Sequence, residues 1–532
     1  MIQLSTLDFS VILLYLIVFM GIGVWFGRKN KTGDDYFRAT KTFPWYVIAF
    51  SIFATDMGSY AFITLAGLGY NHGMLFSHYQ WFAGAAMITL TFFFLPLYLK
   101  SGIFTMPEFL SRRFGTSLGT TYSALTLFIY VIVEIPVLLL TSSIFLSEFL
   151  HVNPWLIMVS LAIFILIYVS LGGLKAVVYT DFLQTILIIA GGLWVCYTAL
   201  SRPEVGGWSG LTDKLDPAMF DAFRSADDPN LPWTAICGGI MLGHLWYWMT
   251  NQTITQRMLG ARSLAEGRMG ILLSSVLKFF IPFIAMVPGM AALVIYGTQD
   301  IIGYGDTVFA KLIVDFIPTG VRGLIVITFF AAMMSSCDSI LNSAATLFTF
   351  DFYKKFFNKN AQDKELIRAG QVAAVVIMAL GLVFVSLYQN KESIYREFQN
   401  YYAYFSPPIT AIFFAAVFSR KINMRGCFLA LFVSVGGSIL LDNINHGIVF
   451  LNDYNNTALV MFLVSVLLLK LGSISGKPVQ PEQLEGTSYH WLRKQPDFGE
   501  EKMEHWWFNR WIWIGLYLVV LIWTSIRFGL FW

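Results

Sequence analysis

The sequence predicts an all-α polytopic membrane protein with about 14 transmembrane helices. Three observations carry that prediction. Hydrophobic residues make up 57% of the 532 positions and charged residues only 13%, a balance unlike that of soluble domains. Apolar runs long enough to cross a bilayer recur along the whole chain. Lysine and arginine gather at alternate ends of those runs, as the positive-inside rule requires.

The first run, 8–27, lacks a basic leader and a small-residue cleavage site, so it reads as a retained helix. No Lys or Arg precedes it, whereas Arg28, Lys29, Lys31, Arg38 and Lys41 follow, which places the N-terminus outside. Spans at 45–70 and 74–99 then lead to Arg112 and Arg113 inside, and 120–149 and 154–171 lead to Lys175. Span 176–200 opens onto the outer segment 201–232, rich in Asp and Glu. Span 233–256 returns to Arg257, Arg262 and Arg268 inside; 270–297 and 321–350 lead to Lys354 and Lys355. Spans 369–388 and 398–418 precede Arg420, Lys421 and Arg425, and 427–444 and 457–472 precede Arg493 and Lys494 before the last span, 509–528. Soluble segments stay below roughly 35 residues, too short for a second domain.

The net charge of +3 is this inner excess and implies no nucleic-acid partner. The four cysteines have no metal or redox spacing and read as packing residues. Asn455-Asn456-Thr457 is a glycosylation sequon on the predicted outer side.

The most informative stretch is Ala331-Ala332-Met333-Met334-Ser335-Ser336-Cys337-Asp338-Ser339, three hydroxyls and a carboxylate in an apolar span. Polar groups at membrane depth are costly, which points to a functional site, most simply for a cation. A second interruption, Thr55-Asp56-Met57-Gly58-Ser59, falls in span 45–70. A Gly-Ser step can simply let helices pack closely, but the adjacent Asp56 favours a break that lines a cavity. Spans 45–70 and 233–256 each open a block of five, and an odd number gives consecutive blocks opposite orientations, as in an inverted repeat. The expected organisation is 1–44, an extra helix and inner loop; 45–200, the first repeat; 201–232, an outer loop; 233–419, the second repeat; and 420–532, three further helices with an inner loop.

The chain also resembles the sodium/solute symporter family, and within it the sodium/sugar cotransporter branch. The landmarks run in order: Gly67-Leu68-Gly69, Thr105-Met106-Pro107-Glu108-Phe109 with Arg112-Arg113-Phe114, and Gly172-Gly173-Leu174-Lys175 through Asp181. Trp248-Met249-Thr250-Asn251-Gln252 with Gln256-Arg257, Val287-Pro288-Gly289-Met290, the serine run through Thr349, and Pro407-Pro408 continue the series. The resemblance implies a five-plus-five inverted-repeat (LeuT-like) transporter core with one helix before it and three after. It implies a sodium-coupled secondary symporter importing a sugar or sugar-like solute by alternating access, with Na+ as the coupling ion. The implied partners are the small solute, sodium and the bilayer, with no obligatory protein partner, in a multi-pass plasma membrane protein of the bacterial inner-membrane kind.

Sodium is a hard cation that takes oxygen ligands, from carbonyls freed by unwinding or from side-chain hydroxyls. Serines in membrane helices also simply bond the preceding turn. Matching family positions here are the carbonyls of Ala54, Met57 and Ala332 and the hydroxyls of Ser335 and Ser336. A second cation is implied at Asp181, Ser335, Asp338 and Ser339, although the family usually has a hydroxyl where this chain has Asp338; alternatively Asp338 pairs with a Lys or Arg. The solute positions map to Asp56, Ala61, Gln80, His244, Lys278 and Gln399. Lys278 and Gln399 keep the sugar-type identity and the other four depart from it. Tyr247 matches the aromatic stacked under the sugar, and Tyr79 and Tyr395 match the outer gate. Lys278 needs an anionic partner at that depth, either Asp56 or the substrate itself, so the solute is a neutral sugar or polyol, a sugar acid of the uronate or sialate type, or a non-sugar. An enzyme is disfavoured, since the seven histidines are scattered without an HExxH. A broken helix between opposed blocks favours a carrier over a channel.

Overall fold

A computed structural model describes residues 5–30, 32–297, 308–318, 320–389, 394–444, 448–495 and 509–530. With no water at membrane depth the backbone must satisfy itself. The described residues are accordingly helical almost throughout, with two isolated strand-like bridges, Phe43 with Ala261 and Arg224 with Pro232. The helices used below are α1 (Thr6–Gly27), α2 (Trp45–Asp56), α3 (Ser59–His72), α4 (Leu75–Ser101), α5 (Thr116–Ser147) and α6 (Pro154–Leu200). They continue with α7 (Met241–Thr250), α8 (Leu264–Tyr296), α9 (Arg322–Phe357), α10 (Asp363–Leu387) and α11 (Ile394–Phe418). The last are α12 (Met424–Asn443), α13 (Tyr454–Ile474) and α14 (Arg510–Ser525).

Among the described residues, 11 helices are long and apolar enough to cross a membrane, or 12 with the bent pair α2–α3 taken as one span. The sequence count was higher for two physical reasons. α6 covers 47 residues but comprises two helices that meet at a kink at Gly173, whose φ of 63° and ψ of −170° lie outside the helical region. At 1.5 Å per residue its 47 residues amount to about 70 Å of helix, more than twice a hydrocarbon core of roughly 30 Å, so this one element has the length of the two spans expected at 154–171 and 176–200. Glycine is required there, because a Cβ would fall 2.8 Å from the carbonyl oxygen of Tyr36. The span expected at 233–256 is also divided: an irregular turn, Ile236–Ile240, precedes α7, and Asn251 then caps a separate helix, Gln252–Leu259.

α9 is the most enclosed of these helices and α1 the least. α9 packs on α6, α2 on the first half of α8, and α3 on its second half. The α3–α8 contact is glycine-mediated, since a Cβ on Gly69 or Gly289 would meet the opposing backbone at 2.2 and 1.9 Å.

The two segments that the sequence expected to open blocks of five spans, 45–70 and 233–256, are both broken. The axis bends by 60° after α2, where Met57 (φ −87°, ψ 56°) leaves the helical region. Gly58 has φ −62°, which any residue adopts, so the break does not depend on glycine's conformational freedom. The second break centres on Gly238 (φ −93°, ψ −115°). The sequon also fails: Asn455 is only 3% exposed, sealed against this second break rather than displayed on a loop.

Candidate functional site

The unwinding after α2 frees its last carbonyls, and α9 crosses them with the serine run. Ser335 Oγ donates to Ala54 O (2.7 Å) and Ala332 O (3.1 Å). Ser336 Oγ donates to Thr55 O (2.8 Å) and Ala332 O (3.3 Å). Four of the five residues expected for sodium, Ala54, Ala332, Ser335 and Ser336, are thus brought together. Thr55 joins them through a carbonyl that sequence reasoning missed. Met57 is fully buried at the break itself. The result is a cluster of carbonyl and hydroxyl oxygens with no nitrogen or sulfur donor among them. A hydroxyl that turns its proton away offers a lone pair to a cation beside the same carbonyls.

One turn along α9, Asp338 and Ser339 face Asp181 of α6, but the site contains a residue not foreseen there. Arg257 is 1% exposed and donates to Asp181 Oδ2 (3.1 Å) and Ser51 Oγ (2.7 Å), and also to Ser339 Oγ and the Thr253 carbonyl. Ser51 in turn donates to Asp181 Oδ2 (2.6 Å). The positive-inside count had placed Arg257 on the inner side; the structure puts it in the helix Gln252–Leu259, buried with its guanidinium on the Asp181 carboxylate. The partner of Asp181 is therefore Arg257, whereas Asp338 Oδ1 accepts from Ser339 Oγ (3.2 Å). Asp181 Oδ1 and Asp338 Oδ2 are buried without a hydrogen-bond partner among the described residues. Two carboxylates and one guanidinium leave a formal −1, which a single added cation would cancel.

The solute positions converge on one cavity of about 730 Å³ including its opening, lined by Asp56, Ala61, Gln80, His244, Tyr247 and Gln399, and by Tyr79. Lys278 donates to Asp56 Oδ2 and lies 4.8 Å from the Trp248 ring centroid, so its anionic partner is internal. Gln80 Oε1, His244 Nε2, Trp248 Nε1 and Ser406 Oγ are buried without hydrogen-bond partners among the described residues, and all four residues line the cavity. Tyr247 and Tyr402 lie near parallel, with centroids 6.4 Å apart, and Tyr402 donates to Glu134 (2.7 Å). The side chain of Tyr395 lies outside the described residues. Ser406, Tyr402, Tyr454 and Asn455 were not foreseen, and neither was Glu134, which borders a small adjoining space shared with Ser336. Their only sequence signal is polarity or aromaticity within apolar spans, which is too common here to single them out.

Residues 36–434 match the sodium:solute symporter family. The sodium/glucose cotransporter of Vibrio parahaemolyticus is 30% identical over 87% of this chain and 90% of its own length. Sodium/myo-inositol cotransporter 2 of Oryctolagus cuniculus is 33% identical over 80% of this chain and 68% of its own. A Na+-coupled sialic acid symporter, solved substrate-bound and outward-open, superposes with a TM-score of 0.77 over 90% of this chain and 99% of its own at 21% identity, a likeness of fold. The chain therefore belongs to the sodium:solute symporter family, and is a membrane-spanning, sodium-coupled transporter of a small solute rather than an enzyme.

Proposed function

We propose that the chain imports a neutral sugar or cyclic polyol together with sodium, by alternating access. The observation that carries the choice of solute is the Lys278–Asp56 pair. It compensates the lysine's charge within the protein, so a carboxylate on the solute has nothing to gain there and would lose its own hydration. Four residues lining the cavity carry an amide oxygen, an imidazole nitrogen, an indole N–H and a hydroxyl without partners among the described residues, neutral donors and acceptors that hydroxyl groups match. Tyr247 offers a flat ring for an apolar sugar face. The relatives named for glucose and for myo-inositol support the same class.

The coupling sodium binds at the first break, on the carbonyls of Ala54, Thr55, Met57 and Ala332 and the hydroxyls of Ser335 and Ser336. A second cation binds between Asp181 and Asp338, bounded by Ser335 and Ser339; the two unpartnered oxygens and the formal −1 support it. Across roughly 100 mV and a tenfold gradient, one sodium supports a solute ratio of about 500 and two support on the order of 10⁵. Dividing α6 at Gly173 and counting each broken helix as one span brings the topology to about 14 spans with the N-terminus outside.

Proteoliposomes given an inward sodium gradient and labelled glucose, myo-inositol or glucuronate test the solute class. Concentrative uptake of glucose or myo-inositol, but not glucuronate, is expected. Uptake of glucuronate alone would overturn it.

A further inference from the structure

We infer that α13, a helix outside both five-span blocks, completes the solute pocket, and that Tyr454 and Asn455 at its start are specificity-determining residues for the solute's hydroxyl groups. This rests on the neutral-solute reading above.

The first turn of α13 is fixed by its cap: Asp453 Oδ1 accepts from the backbone N–H of Asn455 (3.0 Å) and Asn456 (3.1 Å). That turn is pressed against the second helix break. A Cβ on Gly239 would fall 2.5 Å from Asn455 Cα, and one on Gly238 would fall 2.8 Å from the Asn455 carbonyl oxygen. The two glycines of the break therefore seat Asn455 where the helical backbone is interrupted. On the other side, the Tyr454 and Tyr79 hydroxyls are 2.8 Å apart, and Asn455 Nδ2 donates to Tyr79 OH (3.4 Å). Both residues line the same cavity as Gln80, His244 and Gln399.

A contact serving only to dock α13 would be made most cheaply by small apolar residues, as elsewhere between membrane helices. Here a phenol and an amide, each able to donate and accept, border the cavity instead. A phenol and an amide have hydrogen-bonding capacity beyond their bonds to Tyr79, so a site bordered by them favours a solute with a matching hydroxyl over one that lacks it. Tyr454 and Asn455 therefore read the part of the solute next to Tyr79, while Gln80 and His244 read the remainder.

The test compares wild type with Asn455→Ala, Tyr454→Phe and Ser465→Ala in proteoliposomes, measuring sodium-driven uptake of labelled glucose and myo-inositol. Ser465 lies on the same helix but bonds Ser434 of α12 (2.7 Å), so its variant reports on helix docking alone. Loss of one hydrogen bond should raise the solute KM by about three- to tenfold in the Asn455 and Tyr454 variants. The glucose-to-inositol preference should change with it, the sodium half-saturation should hold, and Ser465→Ala should match wild type. If Asn455→Ala fails to insert, Tyr454→Phe decides. Wild-type KM and preference in the pocket variants, or an equal shift in Ser465→Ala, would overturn the inference. Should wild type carry only glucuronate, the neutral-solute reading fails, and the same KM comparison made with glucuronate decides the role of α13 separately.

Discussion

The two helix breaks use one device to different ends. After α2, freed carbonyls meet the hydroxyls of Ser335 and Ser336 from α9, so everything presented is a hard oxygen. At Ile236–Ile240, the interrupted backbone faces Asn455 from α13 and a cavity walled by amide, imidazole and aromatic groups. A break supplies unsatisfied backbone and space; in the function proposed here the neighbouring helix decides whether an ion or a hydroxylated solute suits it.

The two regions should therefore fail differently. The largest effect is expected at the buried charge network beside the first break. Arg257→Met strands Asp181 as an uncompensated buried charge and should cost about 3–5 kcal/mol, seen as a lowered Tm in detergent. Adding Asp181→Asn should restore part of the loss; an unchanged Tm in Arg257→Met would show that the pair has little structural weight. Ser336→Ala, and likewise Ser335→Ala, removes an oxygen the bilayer cannot replace, and should raise the sodium half-saturation of uptake by roughly ten- to a hundredfold. Wild-type sodium dependence in both would sink the serine assignment. Asp338→Ala should lower the sodium-to-solute ratio from reversal potentials by one charge while uptake stays sodium-dependent. A ratio of one sodium per solute in both proteins would make Asp338 structural. The smallest effect is expected of Gln80→Glu at the solute site: uptake of a neutral solute should change by less than about threefold, since Lys278 already has Asp56. Loss of neutral uptake would show that the lysine answers to residue 80 instead.

Legibility in the sequence follows how local each feature is. The serine run occupies consecutive turns of one helix, so composition alone exposed it. Asp56, Gln80, His244 and Gln399 come from four separate helical segments, and only the ordered resemblance joined them; the cavity then gathered them. The burial of Arg257 was not foreseen because charge counting sees only its place along the chain, whereas its bonds to Asp181 and Ser51 are tertiary contacts. The sequon at Asn455, a triplet that also arises by chance, gave no hint of its burial, because packing against Gly238 and Gly239 is a tertiary fact with no local pattern. The helix counts differ where two helices meet at Gly173 without an intervening loop and so form one long element.

Equilibrium binding of radiolabelled sodium, without solute, to Ser336→Ala and Gln80→Ala tests the division of labour most directly. Ser336→Ala should lose most sodium binding, whereas Gln80→Ala should bind sodium like wild type and yet show a raised solute KM in uptake. Sodium binding kept by Ser336→Ala and lost by Gln80→Ala would contradict the assignment of the ion to the first break and the solute to the second.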